Sequence, residues 1–332
     1  MMETETRPYL VTGAAGFVGS EIVRHLLQRG LRVRAMARRM DQLEGLAHSN
    51  LELAEGDLCD RPSLDRAMQG VAGVFHIAAL FRHANHPDAD YWATNVQGVQ
   101  NVIEAAVAAK VPRLIHCSTV GVLGHIEHLP ADENTPYNPS DVYQRSKMEG
   151  EKLALDAFRS GRLSGVVIRP GMIYGPGDTR TRKLFRMIAH RRFFYVGRGD
   201  NLVHFVDVRD LARAFWLAME HVERNGEIYI VAGEKAMPLR TFSEEVARAL
   251  NVPPPWVCLP VRPLQLLGSL CEAICVPLRI PPPIYRRRVD FYTHHRSFNV
   301  GKARSELGFA PAQTFEGEIR DILDDYRRRK WI

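Results

Sequence analysis

Pro8-Tyr9-Leu10-Val11-Thr12-Gly13-Ala14-Ala15-Gly16-Phe17-Val18-Gly19 decides how the rest of the chain is read. Residues 8–12 carry the β-branched and aromatic character of a short buried strand, and Gly13 ends it. Phe17, Ile22, Val23, Leu26 and Leu27 follow with helical spacing, and Gly30 stops the helix. A strand that turns into a helix through closely spaced glycines makes a phosphate site. The first glycine allows the tight turn, the second lets a pyrophosphate approach the backbone, and the third lets helix and strand pack closely. A plain turn with small packing residues is the alternative. The position of the loop at the opening of a βαβ unit favours a dinucleotide-binding fold.

Outward from this loop the chain alternates strands and helices. Strands are expected at 31–37, 51–54, 74–79, 114–119 and 165–169, and helices at 62–68, 88–109 and 140–160, with a loop at 120–139. That alternation gives a parallel sheet covered on both faces. The fold class is α/β: a Rossmann-type doubly wound parallel sheet with a smaller, mostly helical C-terminal substrate lobe. Residues 1–175 are expected to form the cofactor domain and 176–332 the lobe, with segments around 203–231 returning to the body. In the second half, helices are expected at 180–192, 208–222, 239–250 and 315–329, and strands at 203–206 and 228–231. The stretch 251–285 is proline-dense yet holds an apolar helix at 264–276. That helix either packs on the body as the roof of an apolar pocket or makes a peripheral membrane contact.

Composition bounds the function. The 332 residues can bury a large core. Lys and Arg number 44 against 38 Asp and Glu, a net charge of +6 that gathers at Arg286-Arg287-Arg288 and Arg327 to Lys330. Neither run is interleaved with stacking aromatics, so solvated faces are expected rather than nucleic-acid binding. Five cysteines without a CxxC pair fit a reducing, cytoplasmic setting. The first residues carry no apolar signal-like stretch, and no apolar run reaches bilayer length.

Ala37 stands at the end of the second strand, where an acid would bond the ribose hydroxyls, and Arg38-Arg39 follow. Arginine there pairs with a 2′-phosphate, which favours NADP(H) over NAD(H); solvent-facing arginines are the alternative. Asp57 is placed either to accept the adenine amino group or to cap a turn, with Leu58 beside it. Ala78 and Ala79 are small where a cofactor passes. The chemistry rests on Tyr143-Gln144-Arg145-Ser146-Lys147, which puts phenol and ammonium on one helix face, preceded by a strand ending in Ser118-Thr119. A phenol ordinarily ionises near pH ~10, and a neighbouring cation favours the phenolate. Lys147 can also hold the nicotinamide ribose, and a hydroxyl at Thr119 can bond an oxygen where charge develops.

These motifs resemble the extended short-chain dehydrogenases/reductases, in the epimerase/dehydratase and 3β-hydroxysteroid dehydrogenase group. The resemblance spans nearly the full length through Gly13-x-x-Gly16-x-x-Gly19, Thr94-Asn95, Ser118-Thr119, Tyr143-x-x-x-Lys147, Arg169-Pro170-Gly171-x-x-Tyr174-Gly175-Pro176 and His204-Phe205-Val206-Asp207-Val208-x-Asp210. It implies Tyr143 as acid/base, Lys147 as its partner and ribose ligand, and Thr119 in the catalytic hydroxyl place. It also implies a cofactor held by Gly13, Ala15, Gly16, Phe17, Val18, Ser118, Pro170, Gly171 and Ile173, with Asn95 both beside the cofactor and orienting the active-site helix. A homodimer and no metal are expected. Where the group usually continues Val-Tyr-Gly, this chain has Val122-Leu123-Gly124, and no acidic pair follows Thr119. Together with Arg38-Arg39 and 264–276, this favours oxidation or reduction of an apolar, steroid-like or flavonoid-like alcohol or ketone. A nucleotide-sugar epimerase with tightly held NAD is the alternative, its diphosphate gripped from among Arg180, Arg182, Lys183, Arg186, Arg191 and Arg192.

Overall fold

A computed structural model describes residues 6–43, 48–81, 86–275 and 293–332. The basic run 286–288 and the prolines at 277 and 281–283 lie outside these residues.

The first half is built as β1 (Tyr9–Thr12), α1 (Phe17–Gln28), β2 (Val33–Ala37), β3 (Leu51–Glu55), α2 (Arg61–Ala67) and β4 (Gly73–His76). Then come α3 (Asp88–Trp92), α4 (Gly98–Ala108), β5 (Leu114–Cys117), α5 (Val142–Arg159) and β6 (Gly165–Pro170). Beyond it lie β7 (Met172–Tyr174), α6 (Arg182–Ala189), β8 (Tyr195–Val196), β9 (Leu202–Val203), β10 (Phe205–Asp207), α7 (Val208–Glu220) and β11 (Ile228–Val231). The chain continues with β12 (Met237–Pro238), α8 (Leu239–Ala249), β13 (Cys258–Leu259) and α9 (Val261–Cys275), and α10 (Gly301–Leu307) and α11 (Phe315–Arg328) close it.

Seven parallel strands form one sheet in the order β3-β2-β1-β4-β5-β6-β11. The order reverses between β1 and β4, which opens a crevice at their C-terminal ends. One face is covered by α1 and α7 through Ile22, Val23, Leu26, Leu211 and Phe215, the other by α2, α4 and α5 through Leu64, Val102, Ile103, Ala154 and Phe158. Both faces are dry, which is why the inner strands read as continuous apolar runs rather than as alternation. A separate core around Phe185, Phe205, Phe242, Ile322 and Tyr326 joins α6, α8 and α11.

Among the departures from the sequence reading, four have a clear physical cause. The fourth strand stops at His76, because Ile77 N and Ala78 N donate to the Thr12 hydroxyl (3.1 and 3.2 Å) instead of to a strand. The expected helix 88–109 is interrupted by a π-turn at 93–97, where Asn95 turns its amide toward Leu80. The expected strand 203–206 divides at His204, whose ring reaches Gly233 O (3.1 Å) and Phe298 N (3.3 Å). Its first part pairs antiparallel with β12 and its second parallel with β7. The helix α10, which the sequence reading did not assign, ends in Gly308 at φ 62°. At the C-terminus, Arg327 and Arg329 meet Asp324 and Asp325 at 3.1 and 2.8 Å.

Candidate active site

The crevice widens into one cavity of about 1600 Å³, room for a dinucleotide and a second molecule. Its floor is the β1–α1 turn. Gly13 has φ 69°, and a Cβ there would lie 2.9 Å from the Ala78 backbone; one on Gly19 would lie 2.1 Å from Gly13 O. Only glycine lets the turn, the β4 end and the first turn of α1 approach this closely. Gly16 caps α1 with extended backbone and no side-chain hydrogen bond, and no acid sits in the first turn. The leading N–H groups of a twelve-residue helix thus face the cavity with the positive end of its dipole. Gly13, Ala15, Gly16, Phe17 and Val18 all line it. A dinucleotide's pyrophosphate fits this cradle.

At the β2 end the two arginines part. Arg38 is exposed and lines the cavity, whereas Arg39 turns to Asp41 (3.1 Å). Asp57 and Leu58 line the same region. The Asp57 carboxylate accepts from Cys59 N at 2.8 Å, so it caps a turn while bordering the cavity. Ala78 and Ala79 form the opposite rim.

Asp141 caps α5 by accepting from Gln144 N (2.8 Å), which fixes the first turn where Tyr143 stands. Tyr143 is 8% exposed, and its ring meets Phe81 edge-on at 5.2 Å. Lys147, one turn on, is buried and donates from Nζ to Cys117 O at 2.7 Å. Burial lowers its pKa below the usual ammonium value, and Cys117 and Glu151 oppose that. Thr119 lies just past β5, half-buried; its Oγ1 accepts from Gly121 N (3.0 Å), which leaves its proton to donate. Pro170, Gly171 and Ile173 form the far wall, and a Cβ on Gly171 would lie 2.9 Å from His204 O.

Glu151 and Asn95 go beyond the sequence reading: the first was not singled out there, and the second was expected both beside the cofactor and orienting the active-site helix. Glu151 and Arg169 are fully buried and paired at 2.6 Å. Glu151 also accepts from the Ser118 hydroxyl and from Tyr137 OH (2.7 Å). One turn beyond Lys147, it ties α5 to the ends of β5 and β6. Its signal was present: it continues the Tyr143–Lys147 helix face, and an arginine sits inside a buried strand. Asn95 does not line the cavity. Its amide bonds Leu80 N (2.8 Å), Leu80 O (3.0 Å) and Ser146 Oγ (3.0 Å), so it holds α5 against the post-β4 loop. Every other expected site residue borders the cavity.

Beneath Lys147 the rings of His76 and His116 pack at 5.3 Å across β4 and β5. His76 Nδ1 bonds Thr12 Oγ1 (2.9 Å). Neither ring nitrogen of His116 has a hydrogen-bond partner among the described residues. Burial, then the Lys147 charge, pushes His76 down to about 3 and His116 well below its ordinary value, so both are neutral.

The second half of the cavity, beyond Tyr143, is walled by Phe81, Met172, Leu184, Met187, Phe193 and Phe205. Of the six cations considered for a diphosphate grip, Arg180 and Lys183 line it. Arg180 is paired with Asp178 (3.0 Å) and stacks over Phe17 and Phe81. Arg182 instead stacks on Trp331. Among the described residues no helix is long and apolar enough to cross a membrane.

Comparison with known proteins places this geometry. Residues 9–232 match the profile of the NAD dependent epimerase/dehydratase family. Sterol demethylase protein B of Methylococcus capsulatus is 32% identical over 97% of this chain and 99% of its own length. The mouse sterol-4-alpha-carboxylate 3-dehydrogenase, decarboxylating, is 28% identical over 95% of this chain and 90% of its own. A dTDP-glucose 4,6-dehydratase from Streptomyces venezuelae, solved with NAD, superposes with a TM-score of 0.78 at 26% identity, covering 98% of each chain. The chain belongs to the NAD-dependent epimerase/dehydratase family, as an NAD(P)-dependent enzyme of the extended short-chain dehydrogenase/reductase type.

Proposed function

We propose that the enzyme interconverts a secondary alcohol and a ketone on an apolar, steroid-like or flavonoid-like molecule, exchanging NADP(H) each turnover. The observation that carries this reading is the aromatic and aliphatic wall facing Tyr143. The names of two sterol-acting relatives support the same substrate class. Arg38, exposed on the cavity beside buried Ala37, supports NADP(H). In this reading residues 1–175 hold the cofactor and 176–332 form the substrate lobe, with 203–231 completing the body.

Gly13, Ala15, Gly16, Phe17 and Val18 would hold the pyrophosphate, Arg38 the 2′-phosphate, and Lys147, Pro170, Gly171 and Ile173 the nicotinamide half. Bound there, the nicotinamide supplies or accepts the hydride. In the reductive direction the Tyr143 phenol gives its proton to the carbonyl oxygen while the Thr119 hydroxyl donates a second hydrogen bond to it. Lys147 lowers the cost of the phenolate left behind. Oxidation runs the same steps backwards. The apolar wall excludes water, so these charges act in a low dielectric.

Titration with NADPH and NADH tests the reading. Tighter NADPH binding is expected, with the gap shrinking about tenfold or more in Arg38→Ala. The second reading, a nucleotide-sugar epimerase, is favoured by Arg180 and Lys183 on the cavity wall. Protein that purifies loaded with NAD and interconverts sugar-nucleotide epimers without added cofactor would replace the first reading with the second.

A further inference from the structure

The helix α9 is apolar on both sides, yet it lies at the surface. Its inner side carries Leu264, which lines the cavity, and the buried Gly268. Its outer side presents Leu266, Leu267 and Leu270 at 72, 44 and 58% exposure. Arg262 and Glu272 are its only charged residues, and an apolar surface of this kind is ordinarily covered by protein or lipid. Trp256, 82% exposed, stands two residues before β13, and β13 leads into α9. Because β13 pairs with β8, this corner also holds Phe194, which is both exposed and part of the cavity wall.

The same corner is basic. From Arg182 to Gly199 the sequence has six Lys and Arg and no Asp or Glu. Arg191 and Arg192 run directly into the Phe193-Phe194 edge, and Arg262 opens α9. All three are exposed, and no ion pair engages them among the described residues. Exposed leucines, an exposed tryptophan and unneutralised arginines together match the layers of an anionic bilayer surface: acyl chains, interface and headgroups.

We infer that the outer face of α9, with Trp256 and the Arg191–Arg192 edge, docks on an anionic lipid surface and turns the substrate end of the cavity toward it. Continuity supports the orientation, since Leu264 and Phe194 belong both to this corner and to the cavity. An apolar substrate would then pass from lipid to Tyr143 without crossing water. The inference rests on the apolar-substrate reading for its purpose, but not for its test.

The test is co-sedimentation of the full chain, without substrate, with phosphatidylcholine vesicles containing or lacking phosphatidylglycerol. Pelleting with the anionic vesicles only, weakened by salt, is expected. Trp256→Ala, the pair Leu266→Glu/Leu270→Glu and the pair Arg191→Glu/Arg192→Glu should each weaken it about tenfold or more while NADP(H) binding is retained. Protein that stays in the supernatant with both vesicles overturns the inference, as does pelleting unchanged in the leucine pair. A concentration-dependent dimer that Leu266→Glu/Leu270→Glu dissociates, without vesicle binding, would assign the face to a second copy and overturn it too. Because no turnover is read, a failed apolar substrate leaves the vesicle result standing, and the reverse holds equally.

Discussion

In the proposed reaction the phenol of Tyr143 and the hydroxyl of Thr119 act on one oxygen, yet removing them should have separable effects. Tyr143→Phe keeps the ring that meets Phe81 and loses only the proton carrier. Its turnover should fall by about a thousandfold or more, with cofactor binding nearly unchanged, because the loss is confined to the transition state. Thr119→Val should cost about a hundredfold in kcat, and Thr119→Ser should restore most of it, since serine keeps the donor. Stopped-flow turnover alongside cofactor titration separates these cases. A fully active Tyr143→Phe would remove the proton relay from the proposal. Lys147 differs from both: its side chain is buried and bonded to Cys117 O, so Lys147→Ala should damage cofactor binding and turnover together.

At the level of elements, what was legible and what was not follow from the range of each signal. The glycine loop, the Tyr-x-x-x-Lys face and the strand–helix alternation are local patterns, and the chain displays them in order. The division of strand 203–206 at His204 and the π-turn at Asn95 are set by partners far along the chain, Phe298 and Ser146 among them. Spacing within a window carries no trace of such partners. Glu151 falls between: its helix face was readable, but its partner Arg169 and its hold on Ser118 were not. The pair joins three elements that carry the site, so breaking it should disturb both stability and geometry. Glu151→Gln leaves a buried guanidinium without its counter-charge and should cost about 3–5 kcal/mol in urea unfolding. The double variant Glu151→Leu/Arg169→Met should recover much of that stability. It should not recover kcat, because Ser118 and Tyr137 still lose their acceptor. Additive stability losses in Glu151→Leu, Arg169→Met and their double variant would show that the pair is not coupled.

Over the whole molecule the buried titratable groups set a stability optimum near neutral pH, and its two sides have different owners. His76 and His116 are held neutral inside the fold, His76 down to about 3, whereas an unfolded histidine takes up its proton near ~6.5. Their contribution is therefore complete above that value and is lost progressively as pH falls below it, about 1.4 kcal/mol per pH unit for each proton taken up by the unfolded chain. Glu318 runs the other way. Burial pushes its carboxyl up to about 7, where it accepts the Tyr174 hydroxyl. Its contribution is complete below an unfolded carboxyl's value near ~4.3 and is lost as pH rises through 7. Between those values His76 and His116 together outweigh Glu318, so their joint contribution should climb with pH and then level off or fall as Glu318 ionises. His116→Leu removes one proton and a ring whose nitrogens have no partners among the described residues. It should flatten the acid side and raise stability at pH ~7.5 by about 1 kcal/mol. Glu318→Gln should flatten the neutral side and steepen the acid side. Urea midpoints measured from pH ~4.5 to ~8 on the three proteins resolve both limbs. An acid limb of unchanged slope in His116→Leu would place the acid sensitivity outside the β4–β5 pair.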